Sequence, residues 1–315
     1  MVPDVDQLDT EASDLATCES LLRFGSRSFY LASRLLPPKV RKAAIATYAF
    51  CRQADDAIDE GQDLDSIRKR IADVYGEAHS EWPADRAPVH PADRALRKVV
   101  REHAIPKEVF DLMLQGFHWD LEGRPYESLD DLLEYCVRVA STVGVLMSTV
   151  MGRRDTEALF HACDRGVAMQ LTNIARDVGE DAQSGRLYLP RDWLRSEGID
   201  ADRWLENPAF KPEIARVVAR LLREADRYFA SAEPGIHLLP LESRVAIQAA
   251  SVTYADIGNQ IRKKGFDSVN HRAYTSSKRK LWLLLKSGPK VVMPKKADSK
   301  PRLKQAEALV QAMAA

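Results

Sequence analysis

Apolar residues recur along this chain at steps of three and four, as in Ile45, Tyr48, Ala49 and Cys51, or Val217, Val218, Leu221 and Leu222, while alternating strand-like runs are nearly absent. The pattern predicts an all-α protein. Pro37-Pro38 precedes a long helix that ends near Gly61, residues Pro83 to Pro91 read as a loop, and Pro106 opens another helix. Gly152, Gly185, Pro208 and Pro234-Gly235 mark later ends. None of these interruptions is long enough for an interdomain linker, and no internal repeat of fixed period is visible. The expected organisation is an N-terminal extension over residues 1–17, one helical domain over 18–287, and a basic tail over 288–315 closing in a helix rich in Ala and Gln.

Composition agrees with a globular protein: 45% of the 315 residues are hydrophobic and 29% are charged. The four cysteines, Cys18, Cys51, Cys136 and Cys163, form no CxxC pair, so neither a disulfide framework nor a zinc site is suggested and a reducing cytoplasm fits best. No cleavable leader and no apolar run approaching the ~18 residues of a membrane span is apparent. The formal net charge of zero hides an asymmetry, because residues 278–304 carry ten Lys and Arg against Asp298 alone. That segment is +9, and it encloses Leu281-Trp-Leu-Leu-Leu285. It reads as an amphipathic element attracted to anionic lipid headgroups, or equally as a solvated basic tail. A nucleic-acid partner is not expected, since no recognition motif accompanies the charge.

Two acidic stripes carry the chemistry. Tyr48, Arg52, Asp55 and Asp59 follow one another at helical spacing, and Gln170, Asn173, Asp177 and Asp181 repeat the rhythm later in the chain. Like charges at i, i+4 destabilise a helix by roughly 0.2–0.5 kcal/mol, so two such pairs among apolar neighbours call for a cation. A single acidic face beside an arginine is commonly a solvated, salt-bridged surface. Two matched faces argue against that reading. Hard Mg²⁺ prefers carboxylate oxygens and is commonly completed by phosphate oxygens, so facing stripes make a diphosphate cradle, with Arg52 and Arg176 placed to neutralise a departing diphosphate. No EF-hand loop, HExxH motif, paired ExxH motifs or phosphate-binding glycine loop competes.

On these residues, together with Gly25 to Pro37, Tyr135 to Gly144, Gly185 to Pro190 and Tyr254 to Arg272, the chain resembles the squalene/phytoene synthase family, most closely its bacterial phytoene-forming members. The resemblance covers about residues 18–285. It implies the class I isoprenoid synthase helical fold as a single domain with a central cavity, and Mg²⁺ dependence with Mn²⁺ as substitute and no nicotinamide cofactor. It also implies head-to-head condensation of two geranylgeranyl diphosphates to phytoene through a cyclopropylcarbinyl diphosphate, the first step of carotenoid biosynthesis. The same scaffold serves squalene and dehydrosqualene synthesis from farnesyl diphosphate. Non-catalytic relatives acting as assembly factors usually lose aspartates from one cluster, and here all four remain.

Position by position, the resemblance implies that Asp55, Asp59, Asp177 and Asp181 bind metal, with Asn173 assisting. It makes Ser26, Arg27, Ser28, Arg52, Arg176, Tyr254 and Arg272 diphosphate contacts. Tyr48, Tyr135 and Gln170 would line the reaction centre, where π faces and an amide dipole stabilise a carbocation and exclude water. In isolation Tyr48 and Tyr135 are more often core aromatics, and Ser26 and Ser28 as often helix caps; only their joint occurrence favours the functional reading. Phe29 and Ser33, one turn apart, would face the hydrocarbon tunnel, and the small Ser33 leans towards a C40 product. Asp120 in Trp119-Asp120-Leu-Glu122 carries no assignment. A hydrocarbon product that water cannot dissolve implies peripheral membrane attachment and contact with downstream carotenoid enzymes.

Overall fold

The computed structural model describes residues 5–61, 63–78, 87–292 and 303–314, with side chains described from residue 10 onward except for 59 and 287–292. Among the described residues there is no strand. The first helices are α1 (Val5–Gly25), α2 (Arg27–Ser33) and α3 (Pro38–Asp59), followed by α4 (Leu64–Tyr75), α5 (Pro91–Glu102) and α6 (Glu108–Leu121). Next, α7 (Leu129–Cys136) runs through a π-helical turn, Val137–Ser141, into α8 (Thr142–Val150). The longest, α9 (Thr156–Gln183), precedes the short α10 (Arg191–Ser196) and α11 (Ala201–Glu206). Then come α12 (Pro212–Ala232), α13 (Gly235–Leu238), α14 (Leu241–Lys263), α15 (Ser277–Val292) and α16 (Glu307–Ala314).

The breakers act where the sequence puts them. Pro38 opens α3, where a missing N–H costs nothing, and Gly61, Gly152 and Gly185 leave α3, α8 and α9 with φ of +81°, +82° and +72°, which terminates each helix. Asp155 caps α9 by accepting the Ala158 N–H at 3.0 Å, and Ser128 with Asp131 closes a capping box on α7. Residues 83–86 of the expected loop and 293–302 of the expected tail lie outside the described residues.

Helix α9 is the axis of the molecule. Leu159, Val167 and Leu171 are fully buried along it, each contributing about 1.5–3 kcal/mol by burial, and α8, α12 and α14 pack around it. The segment Leu129–Val150 is long and apolar enough to cross a membrane, yet 61% of its apolar window is buried against the rest of the fold, as a core helix would be. All four cysteines are buried and unpaired. The expected boundary after residue 17 falls inside the continuous α1, whose Asp14 pairs with Arg94 of α5 at 2.6 Å. Leu309, Val310 and Met313 of α16 are buried against the bundle, so the chain's last helix is part of the core.

Candidate active site

A cavity of about 590 Å³ runs between α2, α3, α8, α9 and α14. On α9 its wall extends from Ala158 to Asp177, twenty residues spanning about 28 Å of helix. Asp55 and Arg52 from α3, Asn173, Arg176 and Asp177 from α9, and Arg272 from the segment after α14 supply charged and polar lining. Along the rest the wall is largely aliphatic and aromatic, including Leu36, Met113, Phe117, Val143, Met147, Met169 and Ile247. Fourteen of the seventeen residues singled out in the sequence line this one space: Ser26, Ser28, Phe29, Ser33, Tyr48, Arg52, Asp55, Tyr135, Gln170, Asn173, Arg176, Asp177, Tyr254 and Arg272. Arg27 is exposed at the start of α2 and does not line it. Asp181 stands one turn beyond Asp177, and the side chain of Asp59, at the end of α3, lies outside the described residues.

The guanidinium groups already sit on the carboxylates. Arg176 chelates Asp177 through two hydrogen bonds, one of 2.7 Å, and Arg272 adds a third at 3.0 Å while also reaching Glu180 at 3.1 Å. Burial opposes the Arg176 charge, but the hydrogen bonds and charge of Asp177 outweigh it and hold its pKa above the ordinary arginine value. On α3, Arg52 contacts Asp55 at 3.3 Å and pairs with Asp56 more closely. Arg272 is delivered by a close approach at Gly179, whose N–H donates to Ser268 O at 2.9 Å and whose added Cβ would lie 2.1 Å from the Val269 carbonyl oxygen. Only glycine admits the segment that carries Arg272 onto α9.

Two observations on α9 test whether these residues fit a cation. The Asn173 Oδ1 is buried without a hydrogen-bond partner. The Asp181 carboxyl is pushed up to about 8, first by burial and then by the charge of Asp177. An orphaned amide oxygen and a carboxylate that resists ionisation both gain from a hard divalent ion, and all the donors are oxygens. No three His, Cys, Asp or Glu side chains among the described residues are gathered tightly enough to hold an ion alone. Arg176 and Arg272 occupy the cation's place on Asp177. The set fits a metal completed by phosphate oxygens.

Aromatic rings floor the charged end. Phe29 lies 5.7 Å from Tyr48 and 5.3 Å from Tyr254, centroid to centroid. Ser26 is the N-cap of α2, accepting the Phe29 N–H at 3.2 Å, so its hydroxyl fixes the start of the helix that carries Phe29. Ser28 accepts a hydrogen bond from Lys280 of α15 at 2.8 Å. Ser33 faces the cavity and donates to the Tyr30 carbonyl at 2.8 Å, so its tunnel position and its backbone bond coexist.

Three features were not read from the sequence. Asp120 accepts hydrogen bonds from Tyr135 at 2.9 Å and Tyr188 at 2.7 Å. A carboxylate at the end of the largely apolar α6 was the signal available. Lys280, which Arg27 disfavours electrostatically once burial has lowered its pKa, joins the Ser28 region from 252 residues away. Far from Asp177 along the cavity, partly buried Arg165 donates to Ser251 Oγ and the Ala232 carbonyl, each at 2.6 Å, and desolvation lowers its pKa to about 10. Beside it His161 Nδ1 lies 2.8 Å from the Ser231 carbonyl, which requires the proton on Nδ1.

A family model described as squalene/phytoene synthase matches residues 22–280. The phytoene synthase of Rhodobacter capsulatus is 44% identical over 293 residues, covering 92% of this chain and 86% of the relative. The 15-cis-phytoene synthase of a Paracoccus species is 42% identical, covering 86% of this chain and 90% of the relative. A crystal structure of a dehydrosqualene synthase in complex with ligand superposes with a TM-score of 0.79 at 31% identity, over 89% of this chain and 97% of that one. The all-α architecture is that of the class I isoprenoid synthases. With the cavity, its paired aspartate faces and these matches in hand, the chain belongs to the squalene/phytoene synthase family.

Proposed function

We propose that this protein is a phytoene synthase, joining two geranylgeranyl diphosphates head to head. The observation that carries the reading is one cavity with the carboxylates of two helices near one end and about 28 Å of α9 along its wall, close to the ~30 Å of a bilayer's hydrocarbon core. Such a shape suits two long prenyl chains with their diphosphates together. Relatives named phytoene synthase at 42–44% identity support the same substrate class.

The family works on prenyl diphosphates, generally with a divalent metal. Asp55, Asp59, Asn173, Asp177 and Asp181 are the residues that would hold it, with Mg²⁺ the natural match to hard oxygen donors. When bound, the ion neutralises charge that develops on the leaving diphosphate. Arg52, Arg176 and Arg272 receive that diphosphate, exchanging carboxylate partners for phosphate oxygens in the same fork geometry. The allylic cation left behind lies against the faces of Phe29, Tyr48 and Tyr254, which stabilise positive charge without offering a nucleophile. Attack by the second substrate's double bond and loss of a proton give the cyclopropylcarbinyl diphosphate. A second ionisation, rearrangement and proton loss give phytoene, so no reductant is consumed and no nicotinamide cofactor is required.

Purified protein with Mg²⁺ and geranylgeranyl diphosphate is expected to yield a C40 hydrocarbon without NADPH. A protein that turns over farnesyl diphosphate alone, or that needs NADPH for its main hydrocarbon, is a squalene or dehydrosqualene synthase instead.

We further infer peripheral attachment to an anionic membrane at the cytoplasmic face, where the product would pass to downstream carotenoid enzymes. Lys278, Leu281, Trp282 and Leu285 share one exposed stripe of α15, while Arg279 holds the helix to buried Asp256 at 3.0 Å. Co-sedimentation with anionic vesicles is expected, with loss on replacing Trp282 and Leu285 by Ser; binding that is indifferent to both changes and to lipid charge refutes it.

A further inference from the structure

Resting on the phytoene reading, we propose that Asp120 acts as a positioning residue through Tyr135, receiving the proton lost when the final carbocation collapses to product. Three tyrosines are packed around this carboxylate. The Tyr135 and Tyr188 rings stack 5.2 Å apart, and Tyr126 lies 5.3 Å from one and 5.8 Å from the other. Of the three, Tyr135 alone lines the cavity. Its hydroxyl donates to Asp120 Oδ2, and the Tyr188 hydroxyl donates to Oδ1. The two carboxylate oxygens are thus held in a fixed orientation, with Oδ2 aimed at the one phenol of these three that borders the reacting space.

A phenol whose proton is given to a carboxylate presents an electron-rich oxygen to whatever lies against its other side. Burial, then Tyr188 and the Asp120 charge, keep the Tyr135 pKa far above the ordinary tyrosine value, so the group enters the reaction as a neutral phenol. A neutral phenol keeps a new proton only by passing on its own. In the proposed step the C–H bond next to the cationic carbon breaks, its electron pair becomes the new C=C bond, and the proton goes to Tyr135 Oη. The proton that Tyr135 was donating moves to Asp120 Oδ2. Asp120 is only partly buried, so it returns that proton to water without opening the cavity to solvent. The carbocation is thereby deprotonated across a wall of rings that excludes the competing nucleophile.

Tyr188 joins this wall to the second aspartate cluster. It lies in the turn after α9, where the Arg186 N–H donates to the Asp181 carbonyl at 2.8 Å, so the same segment fixes Asp181's end of α9 and one oxygen of Asp120.

The test compares Asp120→Asn, Tyr135→Phe and Tyr188→Phe with the unmodified enzyme, scoring geranylgeranyl diphosphate consumed separately from C40 hydrocarbon formed. Asp120→Asn keeps the shape and an acceptor oxygen but cannot take a proton. Hydrocarbon formation is expected to fall about a hundredfold in Asp120→Asn and Tyr135→Phe, within the range of a lost acid–base group. Consumption of substrate falls less than tenfold, the difference appearing as cyclopropylcarbinyl diphosphate or C40 alcohols. Tyr188→Phe retains the carboxylate and loses at most a few-fold, and Asp120→Glu recovers part of the hydrocarbon. Parallel losses of consumption and hydrocarbon, as a purely structural defect produces, overturn the relay, and so does unchanged hydrocarbon yield. Should Asp120→Asn not fold, the split in Tyr135→Phe decides. An unmodified enzyme that forms no C40 hydrocarbon refutes the phytoene reading instead, and the same ratio measured with farnesyl diphosphate then judges the relay.

Discussion

The acidic faces of α3 and α9 repeat one spacing in sequence, yet the fold treats them differently. Asp177 and Arg176 retain 16% and 17% side-chain exposure, whereas Asp55 and Arg52 retain 47% and 36%. On α9 the carboxylate is chelated, backed by a second arginine, and followed by a carboxyl that burial keeps protonated near neutral pH. On α3 a single arginine divides itself between Asp55 and Asp56 in partial contact with water. The difference comes from the neighbours: α9 packs against α8, α12 and α14 and is approached at Gly179 by the segment leading to Arg272, while the Asp55 end of α3 keeps more contact with water. One face is preorganised, and the other is free to adjust when a substrate arrives.

The largest effect expected from this contrast separates catalysis from stability. Asp177→Asn and Asp55→Asn should each lower metal-dependent turnover by about a thousandfold or more, since each removes several kcal/mol of stabilisation of the leaving diphosphate. Their effects on folding should diverge. Asp177→Asn strands Arg176 among buried neighbours and costs on the order of 2–3 kcal/mol, somewhat less than breaking a fully buried pair, while Asp55→Asn removes an exposed pair contributing at most about 1 kcal/mol. Turnover assays alongside denaturant unfolding check this. Equal losses of stability would mean that the two faces are energetically alike, and the contrast fails.

Much of this site was legible because its chemistry is local. Asp55 with Arg52, and Asn173 with Asp177, are grouped by helical periodicity alone, and Pro37-Pro38, Gly61 and Gly185 punctuate the helices that carry them. What stayed hidden depends on contacts distant in sequence. Asp120 meets Tyr188 from 68 residues away, and Lys280 meets Ser28 from 252. The π-helical turn at Val137–Ser141 sits inside one continuous helical pattern, with no proline or glycine within it to announce it. Arg52's closer partner proved to be Asp56, a residue off the stripe, because a long side chain on a half-exposed helix reaches either neighbour.

Gly179 offers a smaller and sharper test of what preorganises α9. In an ordinary helix, replacing Gly by Ala gains about 1 kcal/mol of propensity. Here the new methyl meets the Val269 carbonyl at 2.1 Å, and that segment is tied down where Asp267 accepts the Val269 and Asn270 N–H groups at 3.2 and 2.9 Å. Overpacking of this kind costs about 1–3 kcal/mol, so Gly179→Ala should be net destabilising. Displacement of Arg272 should raise KM for the prenyl diphosphate about tenfold with a smaller change in kcat, as loss of a diphosphate contact predicts. A rise in the melting temperature with unchanged KM would show that the segment yields freely and that Arg272 is not held by this contact.

The smallest effect lies in the pH dependence of the metal-free protein. Asp181 keeps its proton in the folded state up to about pH 8, whereas the unfolded chain releases it near 3.8. Between those values the folded state binds the extra proton, so this residue makes stability fall as pH rises from about 4 to 8. One proton sets a ceiling of about 1.4 kcal/mol per pH unit, and water around a partly exposed carboxyl should reduce the observed slope to about 1 kcal/mol between pH 6.5 and 7.5. Denaturant midpoints measured in a chelator across that interval should therefore decline, and Asp181→Asn, which has no proton to release, should flatten the decline. An Asp181→Asn protein with the original slope would move the titration to another group. It would also remove the electrostatic strain that makes the α9 face, more than the α3 face, the one prepared in advance for a cation.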